Sequence, residues 1–264
     1  MVGTTNTANG NDARVVEVRN VTRTTAQIRG CESDGETAAG CASHPEEIVG
    51  YMVFDIADNA SVAGIEAGTV SVGGTFDSNS QTVNLTESFS GTPLVFATTQ
   101  TQSEPGKTPV VARVTEVGSN NFDIGVCFQD DEDACDGSKS NETVAWIAID
   151  PNNLPFSNQS ESGTFTMGGF GIWQTQTFTT PFAVTSVALV EDQTQNGGQD
   201  IEISEARNVT NTSLEARFCE LDGPDTCDGH NSDTVAWYAI APGILSTSGG
   251  LLTINTTGTT DGEV

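Results

Sequence analysis

The chain has 264 residues, with 36 Asp and Glu against 9 Lys and Arg and a formal net charge of −27. A field of that sign repels nucleic acid and anionic membrane surfaces, so neither is an expected partner. No run reaches the roughly eighteen apolar residues of a spanning helix, and the polar start Met1-Val2-Gly3-Thr4-Thr5 is no signal peptide, so any targeting segment is expected to be removed or to lie outside this numbering.

Helical periodicity is nearly absent and period-two alternation recurs between Gly- and Asn-rich turns. This predicts an all-β chain of tandem small antiparallel sandwiches. The first element, Val2-Gly3-Thr4-Thr5-Asn6-Thr7, matches Phe96-Ala97-Thr98-Thr99-Gln100-Thr101 from the middle of a later copy. The first unit, residues 1–56, is therefore incomplete and lacks its first strands. Cys31 and Cys41 bracket a short loop, and the apolar strand Glu47-Ile48-Val49-Gly50-Tyr51-Met52-Val53-Phe54 closes the unit.

The second unit, residues 64–150, contains the alternating run Arg113-Val114-Thr115-Glu116-Val117, the pair Cys127 and Cys135, and the closing strand Glu142-Thr143-Val144-Ala145-Trp146-Ile147-Ala148-Ile149. Pro151 to Ser162 reads as a linker. The third unit, residues 162–243, repeats the plan with Ile201-Glu202-Ile203-Ser204, Cys219 and Cys227, and Asp233-Thr234-Val235-Ala236-Trp237-Tyr238-Ala239-Ile240. A tail, residues 244–264, then resembles the start of a further copy: Ser248-Gly249-Gly250-Leu251 matches Ser162-Gly163-Thr164-Phe165. Leu251, Leu252 and Ile254 make it a candidate donor strand for the incomplete first unit.

In the second closing strand Val144, Trp146 and Ala148 point one way and Ala145, Ile147 and Ile149 the other, so both faces are apolar. Such a strand is expected to be central, with one face in a sandwich core and the other against a neighbouring unit or subunit. The three cysteine pairs read as disulfides of an extracellular protein, each worth on the order of 2 to 3 kcal/mol to a small unit. The dispersed carboxylates and the scarcity of lysine suggest a halophilic surface, where molar salt shortens the Debye length to about 3 Å. Sequons at Asn20, Asn59, Asn84, Asn141, Asn158, Asn208, Asn211 and Asn255 are candidate N-glycosylation sites. Asn20 and Asn208 occupy the same repeat position in Arg-Asn-Val-Thr.

A Pro-bounded strand, an Asn-Val-Thr strand pair and a closing Val-Ala-Trp-x-Ala-Ile strand together resemble the H-type lectin domain. The resemblance covers most of the second and third copies and half of the first. It implies a six-stranded antiparallel sandwich, assembly into trimers or larger arrays, and carbohydrate binding. The acidic Cys loops, Gln129-Asp130-Asp131-Glu132-Asp133-Ala134-Cys135 among them, depart from that pattern.

No enzyme is expected. His44 and His230 are repeat-equivalent loop residues without a third partner or a nucleophile elbow. Asp130, Asp131, Asp133 and Asp136 are weak candidates for Ca²⁺, but their spacing is not that of a calcium loop. A solvated acidic loop is the simpler reading, and no cofactor is expected.

The complementary truncation of head and tail predicts an extracellular structural subunit of a surface filament or similar assembly, polymerising with itself head to tail as one chain's tail completes the next chain's first unit. The alternatives are a multivalent lectin-like adhesin binding cell-surface glycans and a viral tail-fibre or decoration protein on the virion surface. The duller explanation of the truncation is a longer tandem array that encodes the missing strands elsewhere.

Overall fold

A computed structural model describes residues 1–9, 14–22, 24–32, 45–55, 60–62, 64–73, 80–101, 110–128, 135, 140–154, 156, 159–196, 202–220, 229–247 and 250–259. Every regular element among them is a strand. The first unit supplies β1 (Val2–Thr5), β2 (Arg14–Arg19), β3 (Gln27–Glu32) and β4 (Glu47–Asp55). The second supplies β5 (Ala60–Val62), β6 (Ile65–Val72), β7 (Gln81–Asn84), β8 (Leu94–Thr99), β9 (Val110–Thr115), β10 (Asn121–Phe128) and β11 (Glu142–Ile149). The third supplies β12 (Ser160–Phe170), β13 (Gln174–Thr177), β14 (Val187–Asp192), β15 (Glu202–Arg207), β16 (Ser213–Glu220) and β17 (Gly229–Ile240), and the tail β18 (Gly243–Thr247) and β19 (Gly250–Thr259).

The second unit packs the sheet β5-β6-β11-β8 on β7-β10-β9, and the third packs β12-β17-β14 on β13-β16-β15. The third unit thus has the six strands the lectin resemblance implies, and the second adds β5, which lies ahead of the expected start at residue 64. All pairings are antiparallel. In each unit the closing strand is central, as its two apolar faces predict: β11 lies between β6 and β8, β17 between β12 and β14, and β4 between β19 and β1.

Val144, Trp146 and Ala148 face the sandwich interior, where the Trp146 and Phe122 rings meet edge to face at 5.3 Å. Gly163 stands opposite Trp237 in the register because a Cβ there would come within 2.9 Å of the indole nitrogen. The other face of each closing strand leaves its own unit. Met52, Ala145, Ile147, Ile149, Ala236, Tyr238 and Ile240 meet with Val2, Phe96 and Leu189 in one buried cluster shared by all three units. Leu154 and Phe156, in the segment expected to be a linker, also pack on it.

The tail pairs with the incomplete first unit, as the sequence suggested, and here that unit belongs to its own chain. Strand β19 pairs with β4 of its own chain over nine residues, with Leu251 opposite Asp55, Leu252 opposite Phe54 and Ile254 opposite Met52. β18 extends the sheet to β1-β4-β19-β18, the counterpart of β8-β11-β6-β5. The reason is geometric. The third unit lies against the first, and β18 begins three residues after β17 ends, so the tail emerges beside β4 at the high effective concentration of a short connection.

Candidate functional site

The three units meet through equivalent strands. Thr7, Thr101 and Thr194 mark the correspondence: their hydroxyls donate to Glu47 (2.5 Å), Glu142 (2.5 Å) and Asp233 (2.7 Å). The same hydroxyls accept from the N–H of Ile48, Thr143 and Thr234. Counting back from these threonines, Asn6, Gln100 and Gln193 share one repeat position, and Thr4, Thr98 and Glu191 another. The turn after β2, β9 and β15 is also common to the units, with φ of 51°, 52° and 47° at Asn20, Glu116 and Asn208.

Strands β1, β8 and β14 are each the outer strand of their sheet, so each offers backbone donors and acceptors along its open side. The neighbouring unit answers them with side chains. Asn6 Nδ2 donates to the Ala188 carbonyl at 2.9 Å, and Asn6 Oδ1 accepts from the Ala188 N–H at 3.1 Å. Gln193 Nε2 donates to the Val95 carbonyl at 2.7 Å, and its Oε1 accepts from the Val95 N–H at 2.8 Å. Gln100 Nε2 donates to the Met1 carbonyl at 3.0 Å. The first unit grips the third, the third grips the second, and the second grips the first.

A second ring follows the same order. Thr4 Oγ1 accepts from the Val190 N–H at 3.3 Å, Glu191 accepts from the Ala97 N–H at 3.3 Å, and Thr98 Oγ1 accepts from the Gly3 N–H at 3.1 Å. An amide serves the first ring because it carries donor and acceptor side by side, as a peptide unit does. Asn6 is one methylene shorter than the glutamines, and its amide occupies the space beside Gly50, where a Cβ would lie 2.5 Å from Asn6 Oδ1. Ala145 and Ala236 fill the Gly50 position in the other units.

Charged residues make a third ring on β2, β9 and β15. Glu205 Oε1 accepts from the Arg14 N–H and Glu17 Oε1 from the Val110 N–H, both at 3.0 Å. The second oxygen of Glu205 takes Arg217 at 2.6 Å, and that of Glu17 takes Arg29. In the remaining junction the equivalent residue is Arg113, which pairs with the carboxylate of Glu202 and lies 3.5 Å from Asp192. Across from it in the register stands Gly125, where Arg29 and Arg217 stand in the other units. Arg14 completes the set with Glu47 at 3.3 Å.

Burial pushes the Asp192 carboxyl up to about 6 against the opposing pull of Arg113, and burial likewise raises Glu205 despite Arg217. Val15, Val111 and Ile203 pack beneath the ring with Cys31, Cys127, Cys135 and Cys219. A space of about 50 Å³ is left where these rings meet, room for water rather than for an organic ligand. The arrangement joins the three units.

Cys127 and Cys135 form the expected disulfide. Cys31 and Cys219 are also disulfide-bonded, and their sequence partners Cys41 and Cys227 lie outside the described residues. Asn20, Asn84, Asn141, Asn208, Asn211 and Asn255 are all exposed. Asn59 and Asn158 lie outside the described residues, as do His44, the side chain of His230, and the calcium candidates Asp130, Asp131, Asp133 and Asp136. Sequence reasoning passed over Asn6, Gln100 and Gln193, although aligning the three copies residue by residue puts a carboxamide at one position in each. It also passed over Trp173, whose ring lies 4.1 Å from the Arg207 guanidinium and 4.7 Å from that of Arg217.

Over 246 residues, 89% of its length, the chain is 29% identical to halomucin of Haloquadratum walsbyi, and the matched stretch is 2% of that protein. No protein-family model matches the chain. No solved structure matches it.

Proposed function

We propose, from this likeness and from the junction, that the chain is a three-unit structural module of an extracellular surface protein adapted to high salt. The module is one of several carried along a longer polypeptide that builds a surface assembly from its own repeats. The observation that carries this reading is the closed ring of contacts. Three edge strands that would otherwise invite aggregation are capped by one another, and the shared face of the closing strands is buried.

Three further features support it. The disulfides suit an oxidising, extracellular setting. The net charge of −27 suits molar salt, and the relative's printed name joins salt with mucin. No enzymatic activity, cofactor or nucleic-acid partner is part of the proposal.

Antibodies against the chain, applied to unpermeabilised cells of the source organism, test it together with a glycan array probed in molar NaCl. Surface labelling without array signal is the expected result. Labelling that requires permeabilisation would overturn the extracellular reading, and saturable binding to one glycan class would replace the structural role with a lectin role.

A further inference from the structure

Among the described residues, the first unit remains open on its outer sheet. In the second unit β10 carries β9 on one side and β7 on the other, and in the third β16 carries β15 and β13. In the first unit the corresponding sheet is β2-β3, and among the described residues no strand stands where β7 and β13 stand. Matching Cys31 to Cys127 and Cys219 places Thr25 to Ile28 on the residues that receive those strands, Asn121 to Ile124 and Ser213 to Ala216.

An open groove of about 280 Å³ lies there, lined by Thr24, Thr25, Ala26, Ile28, Tyr51 and Val53 among others. Its walls are core positions elsewhere in the protein. Tyr51 corresponds to Trp146 and Trp237, which are 2% and 3% exposed, and Ile28 to Ile124, which is 0% exposed. Tyr51, Val53 and Ile28 are only half-buried, and Val21 at the rim is 38% exposed.

The two filled units show what belongs in the groove. Gln81-Thr82-Val83-Asn84-Leu85 and Gln174-Thr175-Gln176-Thr177-Phe178 are the same kind of segment: a Gln-Thr strand of four residues followed by a large apolar side chain. The residue after each strand donates its N–H to a turn carbonyl, Leu85 to Asn120 and Phe178 to Thr212, both at 2.8 Å. Thr24 holds the equivalent place in the first unit. A second anchor follows: Phe89 packs on the core of the second unit, and Phe182 meets Phe178 edge to face at 5.0 Å in the third.

We propose that the groove and the β3 edge bind a Gln-Thr strand with its aromatic anchor, supplied by a further copy of this repeat. The Gln pairs opposite Ile28, the fourth residue pairs opposite Thr25, and the apolar side chain enters between Ile28 and Tyr51. The first unit then has the same double sheet as its neighbours, and the module acquires a directional joint to the next repeat. The identity of the donor as another repeat rests on the reading of the chain as one module among several; the docking itself does not.

The test extends the full chain at its C-terminus with a copy of residues 78–92, which reproduces the nine-residue step from Val72 to Gln81 between Thr259 and the new Gln. A chain carrying the same residues in scrambled order is the control. Hydrogen exchange in molar NaCl reads the amides of Ala26 and Ile28, which point to the open edge because Thr25, whose carbonyl accepts from the Thr22 N–H, faces β2 and directions alternate along the strand. They are expected to exchange about tenfold or more slowly in the extended chain than in the other two.

Equal exchange in all three chains would overturn the proposal. Protection in the unextended chain that rises with protein concentration would also overturn it, by showing that a second copy's edge occupies the groove. A synthetic peptide of residues 80–91 added to the unextended chain gives the same readout should the extended chain fail to fold. Cell-surface labelling plays no part in these measurements, so their failure is separable from failure of the surface reading.

Discussion

Arg113 of the second unit and Glu202 of the third form a buried ion pair, each side chain 0% exposed, at the repeat positions where the other two junctions set a glutamate oxygen on a backbone N–H. One junction of the ring therefore runs on exchanged charge. The exchange is accommodated because Gly125 leaves room across from Arg113 where Arg29 and Arg217 neutralise Glu17 and Glu205.

Glu202→Gln removes the closest counter-charge of a fully buried guanidinium and leaves it with Asp192 at 3.5 Å. The expected loss is about 3 kcal/mol, read by urea or thermal unfolding in molar salt. Replacing both partners, Arg113→Met with Glu202→Leu, is expected to recover part of that loss, because the desolvation of both charges disappears with them while Asp192 loses its cation.

Gln193→Ala deletes both buried hydrogen bonds to Val95, stranding that residue's N–H and carbonyl, and with them the amide's bonds to the Glu191 and Asp192 carbonyls. A loss of about 2 kcal/mol is expected. Gln100→Ala removes one bond at a partly buried site and should lose about half as much. Equal losses at the two positions would show that the clamps are not what sets the difference.

Truncation after Pro242 removes β18 and β19 and bares one edge of β4. Hydrogen exchange should then show loss of protection in Glu47–Asp55, while β11 and β17, flanked on both sides within their own units, keep theirs. Uniform loss across the three closing strands would mean that the tail holds the whole junction and not the first unit alone.

Acid should stabilise the junction. The Asp192 carboxyl titrates near 6 in the folded protein against an ordinary 3.8, so its contribution is fully present below about pH 4 and is lost as pH rises through 6. Lowering pH from 7 to 5 is expected to raise stability by on the order of 1 kcal/mol. Asp192→Asn should flatten that rise, as thermal melts across the range would show.

Salt should matter more than for a neutral protein. With a net charge of −27, reducing NaCl from molar to about 0.15 M lengthens the screening distance from about 3 to about 8 Å, and the melting temperature should fall by roughly 10 °C or more. A salt-independent melting temperature would remove the charge argument for a high-salt habitat.

Period-two alternation in runs such as Arg113–Val117 and Ile201–Ser204 was enough to predict an all-β chain, and the two apolar faces of Val144–Ile149 placed β11 at the centre of its sheet. The two apolar faces of Val144–Ile149 also announced a covering partner, which is the cluster around Met52, Ile147 and Tyr238. Cysteine spacing announced the Cys127–Cys135 bridge. These properties are local: strand period, side-chain polarity and short loops are written residue by residue.

The destination of each interaction was not legible in the same way. The tail's resemblance to the start of a repeat said what β19 would pair with, yet only the folded chain shows that the partner is β4 of the same molecule, since that depends on where the third unit sets β17 down beside the first. Asn6, Gln100 and Gln193 looked like ordinary polar residues after a strand, and become clamps only when three edges converge. Composition, period and repeat determined the strands and the tandem all-β plan. The ring of contacts, the exchanged charge at Arg113 and the open edge at β3 were decided by tertiary structure, because they depend on how residues roughly eighty or more positions apart come together, which no local pattern encodes.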